Sequence, residues 1–201
     1  MQIRVALRCR HHSAKVIAWL ASPIDAYIAH VNGSAIVHFA DGTQLRLGYA
    51  GKNGRKYVSL GQELVADKRI TKEELSLAGI RKWAREHPSE VEGYLRRNES
   101  FVFFVPIDHA PHGSLDVPVT PGRSIATDKT LFPRGAITFV DTRLGPSGSA
   151  DVHQFLFDQD TGGAIRTAGR ADIYLGQGAQ AERIAGATRA EGQLYYLFLK
   201  E

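Results

Sequence analysis

AITFVDTRLGPSGSADVHQFLFDQDTGGAI, residues 136–165, carries two runs of β-branched and aromatic residues separated by a cluster of Gly, Pro and Ser. Apolar runs broken by turn-forming residues predict two short strands with a tight connection between them. The same pattern extends to both sides, in SFVFFV (100–105), RADIYL (170–175) and QLYYLFL (193–199), with one short helix expected near residues 179–186. Strands of this length and spacing predict a small β-barrel from about residue 100 onward.

Upstream the pattern is different. Ile3, Val5 and Leu7 alternate as a strand does. Residues 24–39 and 44–49 read as two β-rich runs around Asp41-Gly42, a strong hairpin signal. GKNGRK (51–56) is a glycine-rich polar loop. Two helices are expected after it. Thr71 and Glu74 form a capping box, and Leu77, Ile80, Trp83 and Ala84 then fall on one helical face. Pro88 ends that helix, and Ser89 with Glu92 opens the next, which turns Val91, Tyr94 and Leu95 inward.

Hydrophobic residues at 43% and charged residues at 23% allow a buried core in a chain of 201 residues. Gly, at 20 residues, favours a turn-rich and strand-rich fold over a bundle. No apolar run approaches the roughly 18 residues needed to span a membrane. MQIRVALRCRHHSAK at the start lacks the apolar core of a secretory signal. Cys9 is the single cysteine, so no disulfide forms within the chain, and Ala6-Leu7-Arg8 before it is not a lipid-attachment context. The net charge of +4 suits an anionic partner. Nucleic acid is not expected, because no Lys/Arg run is interleaved with aromatics. His109 and His112, like His11-His12, have no acidic or cysteine cluster beside them, so no metal site is expected. Gly176-Gln177-Gly178-Ala179-Gln180-Ala181 loosely fits a dinucleotide fingerprint, but nothing upstream alternates strand and helix. It reads as a glycine turn before a short helix, and no cofactor is expected. Gly145-Pro146-Ser147-Gly148 is not a nucleophile elbow, because its second glycine comes one residue early.

Three aspartates stand out at strand ends or in glycine turns: Asp128 in SIATDKT, Asp160 in QDTGGAI and Asp172 in RADIYLG. Asp160-Thr161-Gly162-Gly163 predicts an Asx-type turn whose glycines can take positive φ. Asp172 interrupts an otherwise apolar run, and a carboxylate lodged there needs partners or a raised pKa. Composition alone leaves its functional and structural readings level.

Residues 23–201 resemble the membrane-bound lytic murein transglycosylase A (MltA) family. The matching phrases are PIDAYIAHVNGSA, RLGYAGKNGRKYVSLG, AGIRKWAREHP, NESFVFF, VPVTPGRSIATD, QDTGGAIR, and RADIYLGQG followed by AERIAG, all in family order. The resemblance implies a mainly β fold with some α. Residues 101–201 would form an incomplete double-psi β-barrel. Residues 23–100 would form a smaller β-rich domain with two helices, inserted into the barrel sequence. Residues 1–22 match poorly. Glycan would lie in the groove between the domains. Asp172 aligns with the family's catalytic aspartate, and Asp160 and Asp128 with two supporting ones. Asn32, Gly33 and Ser34, and Tyr49, Gly51, Lys52, Asn53 and Tyr57, align with segments that line the sugar groove. The family's QGSG phrase is Asn32-Gly33-Ser34-Ala35 here, where Asn keeps the amide with a shorter reach, and its NPS phrase is Asn98-Glu99-Ser100.

The implied activity is non-hydrolytic cleavage of the MurNAc–GlcNAc β-1,4 bond of peptidoglycan to 1,6-anhydromuramoyl products. The implied partner is the glycan strand, met by a monomer in the cell envelope. Family members also have a long N-terminal segment, and this chain starts too late to contain it, so a truncated gene, a fragment or a reduced relative is expected. The competing class is a non-catalytic peptidoglycan-binding relative, since double-psi barrels also occur in expansin-like wall-loosening proteins. The basic balance, with Lys52 and Arg55 in one loop, predicts that binding to insoluble peptidoglycan weakens from low salt to about 0.5 M, where screening shortens to a few ångström. A pulldown whose yield is independent of salt would contradict it.

Overall fold

A computed structural model describes residues 3–7, 15–145, 148, 150–188 and 190–200. The chain divides into two compact units, Met1–Pro111 and His112–Glu201. Cys9, His11 and His12 lie outside the described residues, as do Pro146 and Ser147.

The first unit is a five-stranded sheet with four helices. Its elements are β1 (Ile3–Leu7), β2 (Lys15–Leu20), α1 (Pro23–Asn32), β3 (Ala35–His38), β4 (Gln44–Lys52), α2 (Leu60–Ala66), α3 (Leu77–Glu86), α4 (Pro88–Leu95) and β5 (Val102–Pro106). The strand order is β2-β1-β5-β4-β3, antiparallel except for the parallel β1–β5 pair. The change of pattern near residue 100 therefore falls just before β5, which hydrogen-bonds within the first unit.

Residues 24–32, expected as strand, are helical. Ser22 accepts from the Asp25 amide as N-cap, Pro23 takes the first turn, and Gly33 closes the helix at φ 70°. Ile24, Ala26 and Ala29 form its buried stripe. The hairpin at Asp41-Gly42 is present. Asp41 Oδ1 accepts from the Thr43 amide and hydroxyl, and Gly42 adopts φ 84°. The Thr71/Glu74 capping box also forms, with bonds of 3.0 and 3.3 Å, but it closes a single turn. The helix itself starts at Leu77, capped by Ser76. Ser89 and Glu92 do not cap α4; Pro88 fills its first turn and no side chain caps it. Two cores result. Leu60, Leu64, Trp83, Val91 and Ile24 pack among the helices, and Leu47, Phe104, Val37, Ala18 and Ala29 pack around the sheet.

The second unit contains β6 (Ser124–Ala126), β7 (Ile137–Leu144), β8 (Ala150–Asp160), β9 (Asp172–Ile173), α5 (Ala179–Ala187) and β10 (Gln193–Tyr196). Its strands are ordered β10-β7-β8-β6-β9. The opening stretch of sequence is the long β7–β8 hairpin, in register from Ile137↔Phe157 to Leu144↔Ala150. The β-rich-with-helices expectation is met, and among the described residues neither sheet closes on itself. RADIYL contributes only the two residues of β9. A small core of Ile125, Val140 and Leu156 covers one face, with Ile173 and Leu194 against it.

Phe104 is fully buried in the strand that links β1 to β4. Phe104→Ala should lower the stability of this fold by about 3–5 kcal/mol in chemical denaturation. A loss below about 1 kcal/mol would show that the sheet core is not organised around it.

Candidate active site

Three residues of β6 organise the aspartates. Ala126 pairs with Asp160 of β8 on one side and with Asp172 of β9 on the other. Paired positions share a face of the sheet, so the two carboxylates flank Ala126 on one row, with backbones roughly 10 Å apart from strand spacing. Asp128 follows two residues beyond, where β6 runs into a turn. Ser124 through Asp128 are all buried.

Each aspartate has a different environment. Asp128 has its oxygens engaged: Oδ2 accepts from the Thr167 amide at 3.0 Å, and Oδ1 from the Thr130 amide and hydroxyl at 3.0 and 2.8 Å. Arg166 stands 3.6 Å away. The Thr167 and Thr130 amides, with the Thr130 hydroxyl and Arg166 adding to them, hold its carboxyl down to about 2. Asp128 is thus a permanently charged anchor for the 166–167 segment.

Asp160 is half-buried, and that burial pushes its carboxyl up from the ordinary value, with the Asp158 carboxylate adding to the rise. The Thr161 and Ser114 amides and the Lys129 charge pull in the other direction. The Ser114 amide reaches Oδ1 at 2.8 Å because residue 113 is glycine. A Cβ at Gly113 would sit 2.5 Å from the Gln159 carbonyl oxygen. The expected Asx-type turn after Asp160 is absent. The turn is closed instead by Ile165 N–H on the Gly162 carbonyl, and neither Gly162 nor Gly163 takes positive φ.

Asp172 is exposed rather than lodged in an apolar strand. Arg170 grips it with two parallel bonds of 2.9 Å, Nε to Oδ1 and Nη2 to Oδ2. The same guanidinium donates to the Ala164 carbonyl at 3.0 Å, so it ties Asp172 to the glycine turn that follows Asp160. Proton donation from Asp172 requires that fork to open. Arg170, Ser114 and Thr167 were not singled out from sequence. Arg170 was legible, since it stands two residues before Asp172 in the same phrase. The other two act through backbone amides, which carry no side-chain signal.

In the first unit, Asn32, Gly33 and Ser34 end α1 and Tyr49, Gly51 and Lys52 lie on β4. Gly33 sits against the half-exposed Tyr49 ring, where an added Cβ would lie 3.7 Å from Cδ2. Lys52 is exposed. Asn53 is committed internally: it donates to the Glu99 carbonyl at 2.7 Å and accepts from the Phe101 and Arg55 amides. Tyr57 shares a 2.8 Å bond with Tyr27, whose hydroxyl also accepts from the Leu60 amide. Both side chains brace the loop into α2. Besides Asn53, the exposed members of the set are Asn32, Tyr49 and Lys52. Among the described residues no group of three or more His, Cys, Asp or Glu side chains could hold a metal ion.

Comparison with known proteins is consistent between sequence and structure. Residues 2–105 match the family described as the MltA specific insert domain, and residues 123–198 match the 3D domain. Membrane-bound lytic murein transglycosylase A of Escherichia coli K12 is 34% identical over 189 residues, covering 90% of this chain and 52% of that protein. The Vibrio cholerae protein of the same name is 35% identical over 184 residues, covering 88% and 50%. The chain thus spans about half the length of these relatives. Among solved structures, a membrane-bound lytic murein transglycosylase from Agrobacterium tumefaciens aligns with a TM-score of 0.82 at 31% identity, over 94% of this chain and 53% of that one. E. coli MltA with bound chitohexaose aligns at 0.79 and 30%, over 90% and 56%.

The Asp128 environment has a consequence for acid stability. Its carboxyl lies below the usual 3.8, so the stability it contributes is complete above that value and is lost as pH falls toward about 2. Between about pH 4 and about pH 2, the denaturation midpoint of the native chain should therefore fall more steeply than that of Asp128→Asn. Parallel curves would show that the Thr130 and Thr167 bonds do not matter.

Proposed function

Because the chain belongs to the MltA family, we propose that it cleaves the MurNAc–GlcNAc β-1,4 bond of peptidoglycan without water, with Asp172 as the acid/base residue. The observation that carries this reading is the pairing of Ala126 with Asp160 on one side and Asp172 on the other. Two carboxylates on one row, one half-buried and one open to solvent, suit an acid/base site in which the open group meets the glycan.

The chemistry balances on one residue. Protonated Asp172 gives its proton to the glycosidic oxygen as the C1–O bond breaks and the GlcNAc 4-hydroxyl departs. The C6 hydroxyl of MurNAc then closes onto C1, and its proton returns to the Asp172 carboxylate. No water is consumed, which is why the second carboxylate of an ordinary glycosidase is dispensable here. Arg170 covers Asp172 in the structure, and an entering glycan would have to turn it aside before the first step. Asp160 supports the site, and Asp128 fixes the 166–167 backbone. Asn32, Gly33, Ser34, Tyr49, Gly51 and Lys52 bind sugar hydroxyls and acyl groups; Tyr49 offers an exposed ring and Lys52 an exposed ammonium. Asn53 and Tyr57 shape that surface from below.

The β6–β10 sheet is read as part of a double-psi β-barrel. The chain acts as a monomer on glycan strands in the cell envelope, with no nucleic-acid partner. The envelope reading is supported by the names of the relatives, which are membrane-bound. Among the described residues no helix is long and apolar enough to cross a membrane. A second reading makes Asp160 the proton carrier, because burial already raises its carboxyl. A third is the non-catalytic glycan-binding relative.

Turnover of purified peptidoglycan separates these readings. Asp172→Asn should lose about 10²- to 10⁴-fold, the usual worth of a general acid/base, while retaining glycan binding. Asp160→Asn should lose less. A larger loss in Asp160→Asn would move the role to Asp160, and full activity in both variants would remove it from this cluster.

A further inference from the structure

Asp158 and Lys129 stand close in the chain to Asp160 and Asp128 and have no part in the chemistry above. Asp158 is fully buried in β8, two residues before Asp160, and the Lys129 side chain is only 7% exposed. Lys129 Nζ forms an ion pair with Asp158 Oδ1 and donates to Thr127 Oγ1 at 2.8 Å. The other oxygen, Oδ2, accepts from Thr127 Oγ1 at 2.7 Å and from the Tyr196 hydroxyl of β10. Phe132 stacks on the Tyr196 ring at 4.7 Å. The Thr127 amide in turn donates to the Asp160 carbonyl at 3.2 Å, and the Thr161 hydroxyl to the Thr127 carbonyl at 2.9 Å.

Burying such a pair is a poor route to stability, because taking both charges out of water costs about as much as their attraction returns. A well-packed apolar pair would serve the core equally. What an apolar pair lacks is charge next to Asp160.

We propose that Lys129 and Asp158 are positioning residues for the aspartate cluster, holding the Thr127–Asp128 backbone against β8 and setting the electrostatic surroundings of Asp160 as a pair of opposite charges. The inference rests on the cluster being the active site. The two charges act on Asp160 with opposite sign, Lys129 lowering and Asp158 raising its carboxyl. They oppose one another beside a carboxyl whose largest perturbation is its own burial. The remaining groups that face this region are the Ser114 amide, with Arg134 behind it on the Ser114 hydroxyl, the Asp128–Arg166 pair beyond Thr127, and the Asp172–Arg170 pair across β6. These are already paired or hydrogen-bonded and do not change in the variants below.

If one member of the pair is removed, Asp160 should shift in a direction fixed by the member that stays. In Asp158→Asn, Lys129 loses its counterion and its charge acts on Asp160 unopposed, so the Asp160 carboxyl should titrate lower. In Lys129→Met, the Asp158 charge acts on Asp160 with no cation opposing it, so the Asp160 carboxyl should titrate higher. Each shift should be roughly one to three pH units, the range for an adjacent charge. In Lys129→Met/Asp158→Asn the Asp160 titration should return close to the native one. A purely structural pair would lower stability in all variants and move no titration in opposite directions.

The test is carbon-detected NMR titration of the aspartate carboxyls in the full 201-residue chain, with thermal unfolding as a control for folding. Opposite shifts in the single variants and recovery in the double variant support the inference. An Asp160 titration that is the same in all variants that fold overturns it. The readout needs no turnover. If the native chain fails to cleave peptidoglycan, the proposed function falls, while this electrostatic coupling still stands or falls on the NMR result. Where turnover is measurable, the acidic limb of its pH profile should move in the same directions.

Discussion

β6 is three residues long, buried, and paired along both edges, and the arrangement of the second unit depends on satisfying it. A buried strand cannot leave amides or carbonyls unpaired without a cost of a kilocalorie or more for each. Parallel β8 lies along one edge and antiparallel β9 along the other. Around its ends, the Tyr174 amide donates to the Ser124 carbonyl, the Phe157 amide to the Arg123 carbonyl, and the Gln154 side chain to the Gly122 carbonyl. Even the Ser124 hydroxyl is used, accepting from the Thr120 amide and donating to Gln159. Because β6 must be paired on both sides at Ala126, aspartates from three separate stretches of sequence arrive at one end of one sheet.

That convergence would be costly if the three carboxylates were alike. They differ because their hydrogen-bond donors differ. Asp128 is saturated by amides and a hydroxyl and stays ionised. Asp160 receives fewer donors to offset its burial, so its carboxyl rises. Asp172 is solvent-facing and paired to a single guanidinium. The acid/base reading proposed for this cluster rests on such differences between neighbours rather than on any one aspartate. The role proposed for the buried Lys129–Asp158 pair extends the same scheme.

How far the sequence discloses this varies with the kind of interaction. The β7–β8 hairpin and the Asp41-Gly42 turn were legible because alternation and turn chemistry are local. Helix α1 was not read, although Ser22, Pro23 and Gly33 supply a start and a stop, because its β-branched and aromatic residues resemble a strand. The Thr71 capping box was real and misplaced, since a box can close one turn without a helix following. Asp172 was legible as a candidate through its phrase, but its surroundings were not. Neighbouring Ile173 and Tyr174 suggested burial, and only the sheet register shows β9 ending after two residues with Arg170 across the carboxylate. Asp158 carries the most hidden information. Within FDQD it reads as one more strand-end acid, and its importance appears only when Lys129 and Tyr196, distant in sequence, close over it.

Cleavage of glycan by internal ring closure, the activity proposed for this cluster, leaves a mass signature. Mass spectrometry of the muropeptides released by the native chain from purified peptidoglycan tests it most directly. Closure by C6 leaves MurNAc ends about one water lighter than hydrolysis does, so these anhydro ends are the expected main product. Reducing-end MurNAc as the main product, or no released fragments at all, would contradict it.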